Sequence, residues 1–206
     1  WVLNTNLHLW GYLYLIYQLM LGLRPIGDST LLFKSGEDFG WIVVQKGSSL
    51  YKEKSLLNVP AVIIEQLNLC TKSMIAFEKI LFKRKFLIQK YDLQRDLIPI
   101  VPTLDMEQKK LTYKKMTGSD YKDLLIEMKL MKHMPGDLYR NNIYRHSLYS
   151  YYVDKLSEPL LCEMFQHHRV GLEIFSHYSS FNIRDYFDLT VLCNDLIKDL
   201  NFKVLG

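Results

Sequence analysis

The chain has 206 residues, of which 49% are hydrophobic and 23% charged, and this ordinary globular composition excludes wholesale disorder. With 10 Gly and 6 Pro residues, it is also unlike a collagen or a low-complexity protein. The net charge of +4 is unevenly placed, because residues 1–103 carry 12 Lys/Arg and 8 Asp/Glu whereas residues 104–206 carry 14 of each.

The first 23 residues contain no charged side chain and predict a hydrophobic N-terminal helix over residues 1–24. Its most apolar part, residues 7–23, would span about 26 Å as a helix, slightly less than a bilayer core. Two environments stay open for this helix: a protein core or large interface, and a lipid bilayer or its surface. A signal peptide is disfavoured, since the segment has no basic start and no small-residue cleavage site. The residues predicted to contact a membrane or a partner are Trp10, Tyr12, Tyr14, Leu15, Ile16 and Leu19.

A small β-hairpin is predicted next, within a unit that extends from residue 25 to residue 96. Residues 30–34 and 39–45 are β-like runs, and the Gly-containing segment 35–38 between them is typical of a hairpin loop.

A long amphipathic helix is predicted over residues 60–91. Apolar residues recur in it at steps of three and four, while polar residues form a stripe on another face. The predicted core positions are Ile63, Leu67, Cys70, Met74, Phe77, Leu81 and Ile88. Seven further apolar residues are expected to widen the buried face: Ile64, Leu69, Ile75, Ile80, Phe82, Phe86 and Leu87.

A proline-containing connector is predicted over residues 97–118. Pro99 and Pro102 remove backbone donors and favour extended conformations before them, so residues 97–104 are expected to be extended. The charged segment 105–118 is expected to be a loop or a solvated helix.

The remaining chain, residues 119–206, is predicted to be a C-terminal helical bundle. Helices are expected over residues 119–134, 137–156, 157–176 and 183–200, each with a Ser, Asp or Asn near its start. The predicted fold class is therefore mainly α, a helical bundle with a small N-terminal β-hairpin and a hydrophobic N-terminal helix.

Signatures of catalysis and of metal binding are weak. The chain has no phosphate-binding glycine motif, no nucleophile elbow and no Cys-x-x-Cys pair. An enzyme hypothesis would use Glu163, His167, Glu173 and His177, which lie in pairs four residues apart. Such pairs are more often surface polar contacts, so no catalytic residue, metal or cofactor is predicted. Three widely spaced cysteines favour an intracellular, reducing compartment.

Positive charge is concentrated between residues 72 and 90, where six basic side chains oppose only Glu78. This segment is predicted to bind an anionic partner through Lys72, Lys79, Lys83, Arg84, Lys85 and Lys90. A second, weaker basic and aromatic patch covers residues 139–152.

Two functions from different classes follow. The favoured one is a non-catalytic structural subunit of a larger complex that acts through helix packing, with other protein subunits and a lipid bilayer as partners. Its most specific version is a mitochondrial inner-membrane complex, suggested by the hydrophobic N-terminal segment, the basic balance and the unpaired cysteines. The alternative is a helical nucleic-acid- or ribosome-associated protein that uses the basic helix. A net charge of +4 is modest for such a protein.

Overall fold

The computed structural model describes residues 2–21, 29–34, 39–46, 53–91, 99–130, 143–155 and 183–205. Within them the protein is mainly helical, as the sequence predicts. The helices are α1 (Val2–Leu21), α2 (Ala61–Lys83), α3 (Gly118–Glu127), α4 (Ile143–Val153) and α5 (Ile183–Asp199). The strands are β1 (Ser29–Lys34), β2 (Phe39–Lys46), β3 (Glu53–Pro60), β4 (Leu87–Ile88), β5 (Ile100–Asp105) and β6 (Lys110–Lys115).

Helix α1 lies in the interior, where it contacts α2, α3, α4 and β5. Its buried side chains occupy several sides of the helix, as expected when neighbours surround it. The buried apolar residues of α1 are Trp10, Leu13, Tyr14, Ile16, Tyr17 and Met20. The sequence left open whether α1 lies in a protein core or in a lipid bilayer. In the structure, α1 lies in the core of its own chain. Among the described residues, no helix combines the length and the hydropathy needed to cross a bilayer.

Helix α2 is shorter than the helix predicted over residues 60–91. The N–H of Phe86 donates to the carbonyl of Leu81 at 3.1 Å, and the N–H of Lys85 donates to that of Phe82 at 2.9 Å. These two bonds form a Schellman motif, which requires left-handed backbone just after the helix. Lys85 adopts that conformation with a φ of 62°. The chain then turns into β4 instead of continuing as a helix.

The buried face of α2 is largely the predicted one. The predicted core residues that are buried on α2 are Ile63, Leu67, Cys70, Met74, Phe77 and Leu81. Gln66 is also buried, although its polarity gave no reason to expect it. Three of the residues expected to widen this face, Ile80, Phe82 and Leu87, are instead exposed. They lie near the end of the helix or beyond it, where no described element covers them.

The first sheet has the strand order β1-β2-β3. The two strands expected for the hairpin pair antiparallel, with Lys34 opposite Gly40. Strand β3 was not predicted, and it pairs antiparallel with β2 along its whole length, from Lys46 opposite Glu53 to Phe39 opposite Pro60. The last residue of β3 directly precedes α2, so this sheet leads into the basic helix.

The second sheet has the order β4-β6-β5 and corrects the prediction for residues 105–118. Instead of a loop or a helix, β6 pairs antiparallel with β5, and Leu111 and Tyr113 are buried. Pro102 fits in β5 because this strand lies at the edge of the sheet, where one side needs no donors. Strand β4 pairs with β6 in parallel, which brings the segment after α2 against the hairpin.

The C-terminal helices agree with the prediction in part. Helix α5 matches the predicted helix over 183–200, while α3 ends earlier than predicted, at a left-handed Lys129. Helices α3 and α4 contact α1, and α4 contacts α5 through Tyr151 and Asp199. The helix predicted over 157–176 lies outside the described residues. The four-part domain division and the separate C-terminal bundle remain predictions.

Candidate functional site

The outward face of α2 carries an exposed row of lysines. Lys72, Lys79 and Lys83 are spaced by seven and four residues, so they lie almost in line along the helix. All three are exposed, and they lie opposite the buried face that includes Cys70 and Met74. Because the apolar residues fix which face packs inward, they also fix which face presents these charges.

The row continues beyond the helix. Arg84 and Lys85 form the turn after α2, Lys90 follows β4, and all three are exposed. The six basic residues predicted from the sequence to bind an anionic partner are thus all accessible. They lie on the outer face of α2, at its C-terminal end and in the segment that follows it in the chain.

Two further lysines that the sequence reasoning missed join this end of the surface. The N–H of Leu87 donates to the carbonyl of Lys109 at 2.7 Å, and Leu87 pairs with Lys110 in the sheet. Both lysines are exposed. Their contribution depends on the pairing of β4 with β6, which no local pattern predicts. We call the eight residues together the basic surface: Lys72, Lys79, Lys83, Arg84, Lys85, Lys90, Lys109 and Lys110.

The charges of the basic surface are poorly neutralised. Residues 79–90 and 105–110 contain seven Lys/Arg and two Asp/Glu, a net charge of +5. One of the two acids, Asp105, accepts hydrogen bonds from the N–H groups of Glu107 at 2.9 Å and Gln108 at 2.8 Å. Nearby Glu78 accepts one from the Tyr113 hydroxyl. Within the described part of the chain, no ion pair involves a residue of the basic surface.

The six residues of α1 predicted to contact a membrane or a partner are buried or half-buried, unlike the exposed residues of the basic surface. Trp10, Tyr14 and Ile16 are buried in the protein's own core, which leaves them little surface to offer. Tyr12, Leu15 and Leu19 are half-buried. The Tyr12 hydroxyl donates to the carbonyl of Lys203 at 2.8 Å, and its ring lies 6.0 Å from that of Phe202. Tyr12 therefore already holds a segment of the same chain.

The described cysteines are not arranged as nucleophiles. Burial raises the pKa of the Cys70 thiol to about 12, although a hydrogen bond from Gln66 acts in the opposite direction. Burial likewise raises the pKa of Cys193 to about 11. A thiol with such a pKa holds almost no thiolate at neutral pH, and the thiolate is the reactive form.

The candidate metal ligands Glu163, His167, Glu173 and His177 lie outside the described residues. Among the residues that are described, no cluster of three or more His, Cys, Asp or Glu side chains could hold a metal ion.

In the described part of the aromatic patch over residues 139–152, the tyrosines pack within the protein. Tyr152 is buried and its hydroxyl lies 2.9 Å from the Cys193 thiol. The Tyr151 hydroxyl donates to Asp199 at 2.9 Å and accepts from Lys155 at 2.7 Å. These contacts join α4 to α5, which gives the tyrosines a structural role.

Comparison with protein-family models, with curated proteins and with solved structures finds no match for this chain. The inference of function therefore depends on the residues of the chain itself, above all on the basic surface.

Proposed function

We propose that this protein is a non-catalytic subunit of a larger assembly and that it meets an anionic partner through the basic surface. The observation that carries the proposal is the exposed row of Lys72, Lys79 and Lys83, which continues into the turn after α2. Among the residues that the structure describes, none of these basic side chains forms an ion pair. Charges held in this way raise the local concentration of an anionic partner and orient its approach.

The assembly is expected to form through the charged face of α2 and not through the N-terminal helix. The sequence favoured docking by packing of the N-terminal helix, but α1 uses most of its apolar side chains within the protein. The face of α2 that is not buried within the protein is charged. Docking through these charges is therefore better supported than docking through an apolar helix. The mitochondrial membrane-associated version of the complex stays a prediction.

The first test is retention on immobilised heparin, a polyanion, as a function of salt. We expect the chain to elute well above physiological ionic strength, because several cations contact the polyanion at once. The triple variant Lys72→Glu, Lys79→Glu, Lys83→Glu should elute far earlier. The control Lys203→Glu changes an exposed lysine on another segment and should elute close to the wild type. Equal elution of the triple variant and the wild type would refute the proposal.

The second test measures the size of the native particle. In gently prepared extracts the chain should migrate well above its own 24.4 kDa, and the triple variant should shift toward the monomer. A wild-type chain that migrates as a monomer in the same extracts would show that it is not a subunit of a stable assembly.

A nucleic-acid partner is the second candidate, favoured by the linear spacing of the same three lysines. Binding to duplex RNA or DNA must then weaken steeply as salt rises, since each neutralised phosphate releases counterions. Absence of binding at low salt, together with retention on heparin, would exclude nucleic acid and leave the anionic-partner proposal intact.

A further inference from the structure

We propose that the C-terminal end of α2 docks on the surface of an anionic lipid bilayer. In this arrangement Phe82, Leu87 and Met106 insert among the lipid headgroups while the neighbouring basic residues contact phosphates. The inference rests on the proposed function, because it names the anionic partner that the basic surface meets. It also has an observation of its own, which is a group of exposed apolar side chains.

These three side chains are unusually accessible for their size. Phe82 is 73% exposed, Leu87 69% and Met106 67%, the highest values among the large apolar residues described. They come from three parts of the fold: the last turn of α2, strand β4 and the turn between β5 and β6. We call them the apolar tip. Single exposed apolar residues are ordinary, but several gathered at one place mark an interaction site.

Backbone hydrogen bonds place the three segments that carry the apolar tip next to one another. The N–H of Lys85 donates to the carbonyl of Phe82 at 2.9 Å, and Leu87 follows two residues later. The N–H of Leu87 in turn donates to Lys109 at 2.7 Å. Lys109 closes the four-residue turn that begins with Met106. The positions of these three segments relative to one another are therefore set by backbone hydrogen bonds.

Basic residues lie next to members of the apolar tip, both along the chain and in the sheet. Lys83, Arg84 and Lys85 lie between Phe82 and Leu87 in the chain, and all are exposed. Lys110 is the sheet partner of Leu87. Partners in a ladder point to the same side of the sheet, so an apolar and a basic side chain stand next to each other there.

An anionic bilayer surface fits this combination better than a nucleic acid does. Leu87 and Met106 are aliphatic and cannot stack on bases, which is how exposed side chains usually hold single strands. Aliphatic and aromatic groups do enter the boundary between headgroups and acyl chains, while Lys and Arg extend to the phosphates around them. Each basic residue near such a surface adds to the attraction, and the sum falls with salt.

The experiment is vesicle co-flotation of the full chain with phosphatidylcholine vesicles that contain or lack phosphatidylserine. We expect binding only when phosphatidylserine is present. The variant Phe82→Ser, Leu87→Ser, Met106→Ser should bind these vesicles at least about tenfold less while its elution from heparin stays unchanged. The matched control Val191→Ser removes an exposed apolar residue from α5 and should behave as the wild type.

The outcomes separate the two proposals. If the apolar-tip variant binds vesicles as the wild type does, or if the wild type binds heparin but no vesicles, the bilayer inference is overturned and the anionic-partner proposal survives. If the wild type binds neither, both fail. Binding to RNA with the same dependence on the apolar tip, and no vesicle binding, would assign the surface to nucleic acid instead.

A second variant keeps the test valid should the triple serine variant fold poorly. Phe82→Trp retains an aromatic ring at an exposed position and places a fluorophore in the apolar tip. We subtract the tryptophan fluorescence emission of the wild type from that of the variant. The resulting spectrum should shift to shorter wavelength when phosphatidylserine vesicles are added, because the indole leaves water. Val191→Trp is the control and should not shift. No shift at position 82 overturns the inference.

Discussion

The backbone N–H of Leu205 donates a hydrogen bond of 2.8 Å to Oε1 of Gln66, a residue 139 positions earlier in the chain. Gln66 is fully buried on α2, and its Nε2 lies 3.6 Å from the Cys70 thiol. Together with the Tyr12 hydroxyl on Lys203, this bond ties the last described segment of the chain to α1 and α2. A polar residue inside an apolar helix face thus has a defined structural role.

We expect Gln66→Ala to lower the free energy of unfolding by about 2 kcal/mol, through a lost buried side chain and an unpaired donor. The amide of Leu205 should also exchange its hydrogen faster. Urea unfolding and hydrogen exchange measure the two effects. Asn68→Ala changes an exposed amide residue on the same helix. It should leave the exchange at Leu205 unchanged and should not lower stability, because alanine is the better helix former. Unaltered exchange at Leu205 in the Gln66 variant would contradict the assigned role.

Gly11 of α1 packs directly against Leu124 of α3. A Cβ atom at this position would lie 2.2 Å from Cδ2 of the buried Leu124, so a larger residue forces that side chain to move. We expect Gly11→Ala to destabilise the protein by about 1 to 3 kcal/mol despite the better helix propensity of alanine. In the Leu124→Ala background the same change should be neutral or stabilising. Thermal or urea unfolding of the four proteins in this double-mutant cycle measures the coupling, and additive effects would be the contrary result.

Two helices end on lysines with left-handed backbone. Lys85 has a φ of 62° and Lys129 one of 58°, and glycine is the residue that adopts this conformation without steric cost. We expect Lys85→Gly and Lys129→Gly each to raise the free energy of unfolding by about 0.5 to 1 kcal/mol. Lys79→Gly, within α2, should lower it by about 1 kcal/mol. Urea denaturation distinguishes these signs, and a loss of stability in both left-handed variants would be inconsistent with the Schellman geometry.

The Lys85 variant carries a second expectation, because Lys85 belongs to the basic surface. Lys85→Gly should elute earlier from heparin although it is the more stable protein, whereas Lys129→Gly should elute as the wild type does. Earlier elution of both variants would show that the readout follows overall charge and not the basic surface.

Asp120 and Thr117 form a capping box at the start of α3. The Thr117 side chain accepts from the N–H of Asp120 at 3.3 Å, and the N–H of Thr117 donates to Asp120 at 3.0 Å. Lys114 adds an ion pair of 2.6 Å. Partial burial alone would raise the pKa of Asp120, but hydrogen bonds from Lys114 and Thr117 and the nearby positive charge outweigh it and lower the pKa.

A lowered pKa in the folded state means that the Asp120 carboxylate stabilises the protein above the pKa of the unfolded chain. This contribution is lost as pH falls through the lower, folded pKa. We expect Asp120→Asn to cost about 1 kcal/mol at neutral pH, with the difference from the wild type shrinking in acid. Unfolding curves across this range test it, with the exposed Asp123→Asn on the same helix as control. A difference that stays constant down to strongly acidic pH would disprove the link to the carboxylate.

Much of the helical architecture could be predicted from local patterns. The spacing of Ile63, Cys70 and Phe77 assigns one face of α2 to the core, and the same spacing leaves Lys72 and Lys79 outside. Lys72, Lys79 and Lys83 are exposed for this reason, whereas Arg84, Lys85 and Lys90 lie beyond the end of α2, where helix periodicity does not apply. Period and polarity are properties of neighbouring residues, so a single sequence contains them.

The sequence by itself determined the apolar character of α1, the inward face of α2 and the accessibility of its lysines. Tertiary structure alone decided that α1 lies among the protein's own helices, that β4 pairs with β6, and that Lys109 and Lys110 join the basic surface. It also decided that Phe82 and Leu87, apolar residues expected in the core, are exposed. The physical reason is that burial and strand pairing depend on which distant segment arrives at a given place, whereas helix periodicity depends only on residues a few positions apart.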